Sequence, residues 1–393
     1  MNLQALVRDF SLASLVAGFV AVLVGFTSSV AIVFAAAQAL GATPAQATSW
    51  IWALGLGMGL TSIGLSWWYR EPVLTAWSTP GAALIAGTSG LAMGEAIGAF
   101  VACGVLIFWA GASGIFERAM DRIPQAIAAA LLAGVLARFG LDAVAAVKTA
   151  PLLVLTMLLV FLAGRRAWPR YAVPGVLLAG LVVAAMQGRM QWSRIAWEAA
   201  APLWTTPVFT WSAFIGLVLP LFVVTMASQN LPGVAAQRAA GYRTPVSAPV
   251  AVTGAATVLL APFGGYAFNL AAITAAICLG PEAQEDPARR YTASIAAGLF
   301  YIAIGLVGGA VIGLLQAFPR ELVLVLAGLA LLGTIAGGLV AALKDERHRD
   351  AAALTFLVTL SGVSVSGIGS AFWGLLAGAL ALLVQQSRTG GAR

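Results

Sequence analysis

Residues 71–87 read EPVLTAWSTPGAALIAG, and residues 262–277 read PFGGYAFNLAAITAAI. Each stretch begins with an extended piece rich in β-branched or aromatic residues and continues as a short helix-forming run. Thr79 suits the N-cap of the first short helix, Pro80 suits its first helical position, and Asn269 suits the N-cap of the second. Neither run is long enough to cross a bilayer as a continuous helix. The sequence therefore predicts two half-helices, each preceded by extended chain.

The surrounding sequence has the composition of an integral membrane protein. Hydrophobic residues make up 61% of the 393 residues and charged residues 9%, against roughly 45–50% and about 25% in soluble domains. The first apolar run is too long and too weakly basic at its start for a cleavable signal peptide. We predict an all-α polytopic membrane protein with fourteen transmembrane segments. These segments are approximately residues 12–40, 46–68, 72–87, 91–113, 123–139, 150–164, 171–188, 211–230, 246–262, 264–280, 290–317, 320–343, 350–366 and 368–386.

The two interrupted segments are the third and the tenth. Thr79 and Asn269 lie 190 residues apart, which is about half of the chain. Because seven spans, an odd number, precede the second copy, the halves would be inverted relative to each other, as a 7+7 inverted repeat. Interrupted segments at corresponding places are typical of a secondary transporter that binds its substrate near the bilayer midplane. The alternative is a pair of short helices, kinked by Pro and Gly, that only pack on their neighbours.

The distribution of basic residues predicts the orientation. With both termini in the cytoplasm, the outer loops hold five of the 21 Lys and Arg residues and the inner loops and tails hold the other 16. The five outer residues are Arg138, Lys148, Arg189, Arg194 and Arg320. The positive-inside rule therefore favours a multi-pass protein of a bacterial inner membrane with both termini cytoplasmic. Since the basic residues are spread over many short loops, we expect no nucleic-acid partner.

The half-helix starts and a polar cluster in the eighth segment are candidates for substrate binding. A helix that begins inside the membrane presents free N–H groups and partial positive charge, which favour an anion. The candidate residues are Thr27, Ser28, Ser78, Thr79, Pro80, Gly81, Ser228, Gln229, Asn230, Tyr266, Phe268 and Asn269. The alternative for the hydroxyl and amide side chains is bonding to neighbouring helices or to their own backbone, and for the aromatic rings it is packing.

An enzyme would need a chemical constellation, such as an HExxH zinc motif or paired Asp clusters, and the sequence has neither. Cys103 and Cys278 lie inside apolar runs, where they suit buried packing. We therefore expect no catalytic residue, no metal and no cofactor. A channel is the remaining alternative, although no filter motif is recognisable. Counterflow separates the two, because a carrier exchanges internal for external substrate and a channel does not.

Glu95 is the acidic residue that this segmentation places inside a span next to the interrupted segments. A carboxylate within the membrane is costly unless it is protonated, paired or hydrated, and this cost suggests a proton-relay role. The alternative is that Glu95 reaches water or caps the first turn of the fourth span and couples nothing.

The stretch ASQNLPGV at 227–234, followed by AAGY at 239–242, resembles the bacterial benzoate/proton symporters, and WSTPG at 77–81 and GGYAFN at 264–269 add to the match. The resemblance implies a carrier that imports benzoate or a similar aromatic carboxylate, with protons, by alternating access. It also implies the fold shared by uracil-type and sulfate-type carriers, with the substrate between the third and tenth spans.

That fold implies a core domain and a gate domain, each made of two parts. The core would comprise residues 1–122 and 206–317, and the gate residues 123–205 and 318–393. The implied partners are the aromatic anion, the proton, the lipid bilayer and, in a homodimer, a second copy of the chain.

The sequence departs from nucleobase carriers of this fold, which generally place acidic residues in the eighth and tenth spans. Here the corresponding stretches carry Ser228, Gln229 and Asn269. Because a buried carboxylate would repel another carboxylate, this departure favours an anionic substrate. Another small anion or a nucleobase is the alternative cargo.

Overall fold

The computed structural model describes residue 6 and residues 8–389, except 87, 89, 122, 169–171, 192–199, 308–316 and 364–369. The chain is mostly helical, at 78%. The α-helices, numbered in chain order, are α1 (Leu12–Ala39), α2 (Pro44–Tyr69), α3 (Thr79–Ala86), α4 (Met93–Ala112), α5 (Ile115–Met120), α6 (Gln125–Ala145), α7 (Pro151–Ala167), α8 (Ala172–Met186), α9 (Trp211–Ala239), α10 (Ser247–Leu260), α11 (Ile273–Leu279), α12 (Tyr291–Val307), α13 (Arg320–Leu343), α14 (Arg349–Leu360) and α15 (Ser370–Thr389). Two short strands are β1 (Thr75–Trp77) and β2 (Phe268–Leu270).

Several helices start where side chains satisfy their first N–H groups. Thr43 accepts a hydrogen bond from the backbone N–H of Gln46 at 3.3 Å, and Gln46 accepts one from the N–H of Thr43 at 2.9 Å. Pro44 occupies the first position of α2, where its missing N–H costs nothing. Such caps involve residues three apart in the sequence, so the start of α2 could be predicted to within two residues from the sequence alone.

Five helices among the described residues are long and apolar enough to cross a membrane. They are Met93–Ala112, Gln125–Lys148, Trp211–Ala239, Pro287–Val307 and Arg320–Leu343. Large apolar side chains point outwards from such helices, as the 79% exposure of Trp211 illustrates. An outward apolar surface of this kind requires lipid around it, so the protein is a multi-pass membrane protein. The arrangement of fourteen spans as an inverted repeat stays a prediction.

The helices pack in two groups. In one group α2 packs on α12, α4 packs on α10, and α1 contacts α3 and α12. In the other group α6 packs on α13 and α14, α7 packs on α8, and α14 packs on α15. Glycines allow the closest approach in the first group, since a Cβ added at Gly59 would lie 2.7 Å from the carbonyl oxygen of Gly298.

The two interrupted segments meet through their extended pieces. β1 and β2 pair antiparallel, with Thr75 opposite Leu270 and Trp77 opposite Phe268. A short helix follows each strand, α3 after β1 and α11 after β2. The prediction of extended chain followed by a short helix is therefore confirmed in both places.

Both predicted N-caps were wrong. α3 begins at Thr79, and the oxygen that accepts a hydrogen bond from its first turn belongs to Ser78, whose Oγ lies 3.1 Å from the Gly81 nitrogen. Asn269 lies inside β2, opposite Ala76, and α11 begins four residues later at Ile273. The physical reason is the strand pairing, which holds Asn269 in extended backbone that a local sequence pattern does not reveal.

The predicted end of the fifth segment was also wrong. α6 continues to Ala145, so Arg138 lies within a helix and not in the outer loop where the charge count placed it. Its guanidinium group lies against Gly362, just after α14. Arg138 and Asp142 are oppositely charged and four residues apart, a spacing that favours a helix through this stretch.

Candidate functional site

A cavity of about 310 Å³ lies where the starts of α3 and α11 come together. Its volume is at the small end of the range of about 300–1,000 Å³ that small-molecule sites occupy. Helices from both packing groups contribute to it, since Phe139 belongs to α6. The lining residues are Val24, Gly25, Phe26, Ser29, Met58, Ala76, Trp77, Thr79, Pro80, Phe139, Gln229, Ala271, Ala272, Ile273, Thr274 and Tyr301.

Three aromatic side chains form one wall of the cavity. The rings of Phe26 and Trp77 meet edge to face, with centroids 4.7 Å apart, and Phe26 and Tyr301 have centroids 5.9 Å apart. All three side chains are almost fully buried, which fixes their orientation. An aromatic ligand would find both ring faces and ring edges here.

The polar groups of the cavity are uncharged. The indole N–H of Trp77 donates to Ser29 Oγ at 3.1 Å, and Ser29 Oγ donates to the carbonyl of Gly25 at 2.7 Å. Among the described residues, the lining includes no Asp, Glu, Lys or Arg. Partial positive charge at this site therefore comes from the backbone N–H groups at a helix start, chiefly that of α3, where Thr79 and Pro80 line the cavity.

Ser78 and Gly81 build this helix start without lining the cavity. Besides accepting from the Gly81 N–H, Ser78 Oγ accepts a hydrogen bond from Thr225 Oγ1 of α9 at 3.0 Å. A Cβ added at Gly81 would lie 2.6 Å from Leu221 Cδ1, so glycine allows α9 to approach α3. The predicted residues Ser78 and Gly81 thus have a structural role next to the cavity.

The predicted polar cluster of the eighth segment lies in a π-helical stretch of α9, Met226–Asn230. A π-helical turn is wider than an α-helical turn and is frequent at functional sites. Of the cluster, Gln229 lines the cavity. Ser228 is buried, and Asn230 accepts a hydrogen bond from the Leu270 N–H through Oδ1 at 2.9 Å. Asn230 therefore ties α9 to β2 and does not face the cavity.

Replacing Asn230 by alanine is expected to lower the free energy of unfolding by about 1–3 kcal/mol, because the buried Leu270 N–H would lose its acceptor. The measurement is thermal unfolding of the purified variant in detergent. Asn230→Asp keeps an acceptor and is the comparison, although it buries a charge. An unchanged melting temperature for Asn230→Ala would show that the hydrogen bond between Asn230 and the Leu270 N–H does not stabilise the protein.

The other predicted residues lie outside the cavity. Tyr266 is fully buried against Trp50 and Phe100, with ring centroids 5.8 and 5.7 Å away. Phe268 packs on α2 where Gly57 leaves room for its ring. The amide nitrogen of Asn269 donates to the carbonyl of Ala267 at 3.0 Å.

Two further predicted residues, Thr27 and Ser28, lie in α1. Their side chains fall outside the described residues.

Several lining residues were not predicted from the sequence, among them Phe26, Thr274, Tyr301 and Phe139. Tyr301 carries a hydroxyl in the middle of an apolar run, which was a usable signal. Phe26 directly precedes the predicted Thr27–Ser28 cluster. Phe139 had no such signal, because only the packing of α6 brings it to the cavity.

Glu95 lies in the first turn of α4, where its Oε2 accepts a hydrogen bond from the Ala92 N–H at 3.0 Å. This contact is the capping arrangement that the sequence left open as an alternative to a proton role. Glu95 is not among the residues that line the cavity.

Comparisons with known proteins identify the family. A family model described as "Benzoate membrane transport protein" matches residues 8–384. The chain is 49% identical over 372 residues to the inner membrane protein YdcO of Escherichia coli, with 94% of this chain and 95% of that protein covered. It is 39% identical over 383 residues to the benzoate membrane transport protein of Acinetobacter baylyi, with 97% of each covered.

A solved structure shows the same fold at low sequence identity. SLC26A9 superposes with a TM-score of 0.51 at 14% identity, covering 96% of this chain and 66% of that one. The family description and the Acinetobacter relative name membrane transport proteins and not enzymes. With a family match over nearly its whole length and a relative at 49% identity, this chain belongs to the benzoate membrane transport family.

Proposed function

We propose that this protein is a secondary active transporter that carries benzoate or a similar aromatic carboxylate, together with protons, by alternating access. The observation that carries the proposal is the cavity itself, which combines an aromatic wall with the start of a half-helix and an uncharged lining. The benzoate transport protein of Acinetobacter supports the same cargo, as a relative at 39% identity.

The aromatic ring of the substrate would pack against Phe26, Trp77 and Tyr301. Its carboxylate would point towards Thr79 and Pro80 at the start of α3, where backbone N–H groups and the helix dipole favour negative charge. Gln229, on the opposing α9, offers an amide that can donate to a carboxylate oxygen. The start of α11, at Ala272 and Ile273, supplies the remaining side of the cavity.

The alternating motion would take place between the two packing groups of helices. Residues 1–122 and 206–317 would form the core and residues 123–205 and 318–393 the gate, which agrees with the pairing of α2 with α12 and of α6 with α13. In this arrangement Phe139 of α6 is the gate side chain that covers the substrate. A move of the core past Phe139 would open the cavity to the other side.

A nucleobase or another small anion is the second candidate cargo. The described lining residues include no carboxylate. A nucleobase is therefore disfavoured, because its ring N–H groups would find no charged acceptor for a strong hydrogen bond. The aromatic wall favours an aromatic anion over an inorganic one.

Uptake by purified protein in proteoliposomes tests the function. We expect counterflow of labelled benzoate, competition by other aromatic carboxylates, and none by neutral benzamide or by uracil. The pH gradient and the membrane voltage are varied independently to test proton coupling. Benzoate-driven current without counterflow would indicate a channel and contradict the proposal.

Glu95→Gln tests the proton role that the sequence suggested. The amide oxygen can still accept from the Ala92 N–H, so the cap of α4 should survive. We expect full pH-driven benzoate accumulation, because the carboxylate acts as a cap outside the cavity. Collapse of accumulation with intact counterflow would instead assign the coupled proton to Glu95.

A further inference from the structure

A buried carboxylate connects the end of α11 to the second packing group. Glu282 follows α11 by three residues, and 4% of its side chain is exposed. Its Oε1 accepts a hydrogen bond from Arg165 Nη1 at 2.8 Å, and Arg165 lies in the last turn of α7. The charge distribution of the loops predicts that this end of the protein is cytoplasmic.

Two further contacts hold the carboxylate and its partner. A Cβ added at Gly333 of α13 would lie 2.4 Å from Glu282 Oε1. The carboxylate therefore packs directly against α13, in the space that any side chain larger than glycine would need at position 333. The guanidinium carbon of Arg165 lies 5.8 Å from the centre of the Phe161 ring. Glu282 Oε2 is buried and has no hydrogen-bond partner among the described residues. Among the described residues, the second packing group therefore holds the carboxylate by a hydrogen bond to one of its two oxygens.

We propose that the Glu282–Arg165 pair is an inter-domain latch, and that protonation of Glu282 releases it and speeds the exchange of the transporter between its two orientations. The inference rests on the proposed function, because it assumes that the group containing α11 moves relative to the group containing α7 and α13. Any such movement must separate Glu282 from Arg165 and Gly333.

The surroundings of Glu282 make its protonation feasible. Burial raises the pKa of the Glu282 carboxyl above its ordinary value, and Arg165 and Arg290, which act in the opposite direction, do not cancel that rise. Arg290 donates to the carbonyls of Leu279 and Gln284, at 2.9 and 2.7 Å, and so shapes the loop around the carboxylate.

The charged residues of α13 lie far from Gly333 along the helix, since Arg320 and Glu321 lie in its first turn and Lys344 follows its last residue. As the pH falls towards the raised pKa, Glu282 becomes neutral and Arg165 loses its counter-ion. The attraction between the two groups then weakens.

Equilibrium exchange of benzoate, with the same pH on both sides of the proteoliposome membrane, tests the latch. The wild-type exchange rate should rise as the pH falls, by up to about tenfold per pH unit, as expected for one titrating group. Glu282→Gln is permanently neutral, so its exchange should be fast and should lose this rise. A folded Glu282→Gln variant that keeps the wild-type pH profile, or that exchanges at no pH, would overturn the proposal.

Arg165→Gln is the second variant, and it leaves the buried carboxylate without its cation. No ion pair is then left for protonation to release, so exchange should be fast and should lose its rise at low pH, as in Glu282→Gln. An Arg165→Gln variant that keeps the wild-type pH profile would contradict the latch even if Glu282→Gln failed to fold. Glu346→Gln removes an exposed partner of Arg349 and is the matched control, for which we expect the wild-type profile.

Amide hydrogen exchange of residues 280–286 gives a readout that requires no transport. At one fixed pH these amides should exchange faster in Glu282→Gln than in the wild type, because the loop is no longer tied to α7. Equal protection in both proteins would overturn the latch. A wild-type protein that exchanges no benzoate would contradict the proposed cargo, whereas this measurement would still decide the latch.

Discussion

Gln229→Glu is expected to weaken benzoate binding by about 100-fold at neutral pH. The substitution preserves the size of the side chain and places a carboxylate on the cavity wall, where the structure has an amide. Two like charges about 5 Å apart at an effective dielectric constant of about 20 repel by about 3 kcal/mol, and each 1.4 kcal/mol is about a tenfold change in affinity. Binding to the purified variant, measured by calorimetry or by competition for counterflow, gives the result.

The matched control is Gln46→Glu. Gln46 accepts a hydrogen bond from the Thr43 N–H at the start of α2, and glutamate is equally suited to that position. We expect wild-type affinity for this variant, which carries the same added charge outside the cavity. If Gln229→Glu also bound benzoate with wild-type affinity, the carboxylate of the substrate would not lie near α9.

Gly25→Leu is expected to abolish benzoate exchange while the protein remains folded. Gly25 lines the cavity, and a Cβ there would lie 3.2 Å from Thr274 Cγ2 and 3.4 Å from Tyr301 Oη. That first carbon is already in tight contact, so the remaining carbons of leucine must occupy the cavity itself. Replacing glycine by leucine within a helix also raises helix propensity, by up to about 1 kcal/mol, so loss of α1 is not the expected cause.

Gly337→Leu in α13 is the control for adding a leucine to a membrane helix. Apart from the backbone of its own helix, no atom of the described residues lies within 4 Å of a Cβ built at Gly337, so the new side chain meets open space. Thermal unfolding should be close to wild type for both variants, and only Gly25→Leu should lose exchange. Normal exchange by Gly25→Leu would show that the substrate does not pass through this cavity.

The fold could be predicted where the signal is local. Aromatic and β-branched residues predicted the extended chain before each short helix, and Pro80 marked the start of the first one. The start of the second helix was predicted at Leu270 and lies at Ile273. The local sequence did not reveal that the cap is Ser78 and not the predicted Thr79, because both residues suit the position. In the structure Ser78 Oγ also accepts a hydrogen bond from the hydroxyl of Thr225 of α9, which is distant in the sequence.

The candidate site was predictable in part for the same reason. Thr79, Pro80 and Gln229, three of the predicted substrate-binding residues, line the cavity. Each lies at an interruption that the sequence makes visible. Asn269 has an equally conspicuous position in the sequence, but pairing with Ala76 directs it away from the helix start. Phe139 reaches the cavity only through helix packing, for which an apolar sequence carries little directional information.

The pairing of β1 with β2 has a consequence for biogenesis. Ala76 emerges from the ribosome long before Asn269, which lies opposite it in the strand pair, and a backbone strand within a bilayer cannot leave its N–H and C=O groups unpaired. During synthesis the first extended piece therefore needs a temporary partner, either water at the insertion machinery or a chaperone, until the tenth segment arrives. Because the two strands come from opposite halves of the chain, neither half can complete this pairing on its own.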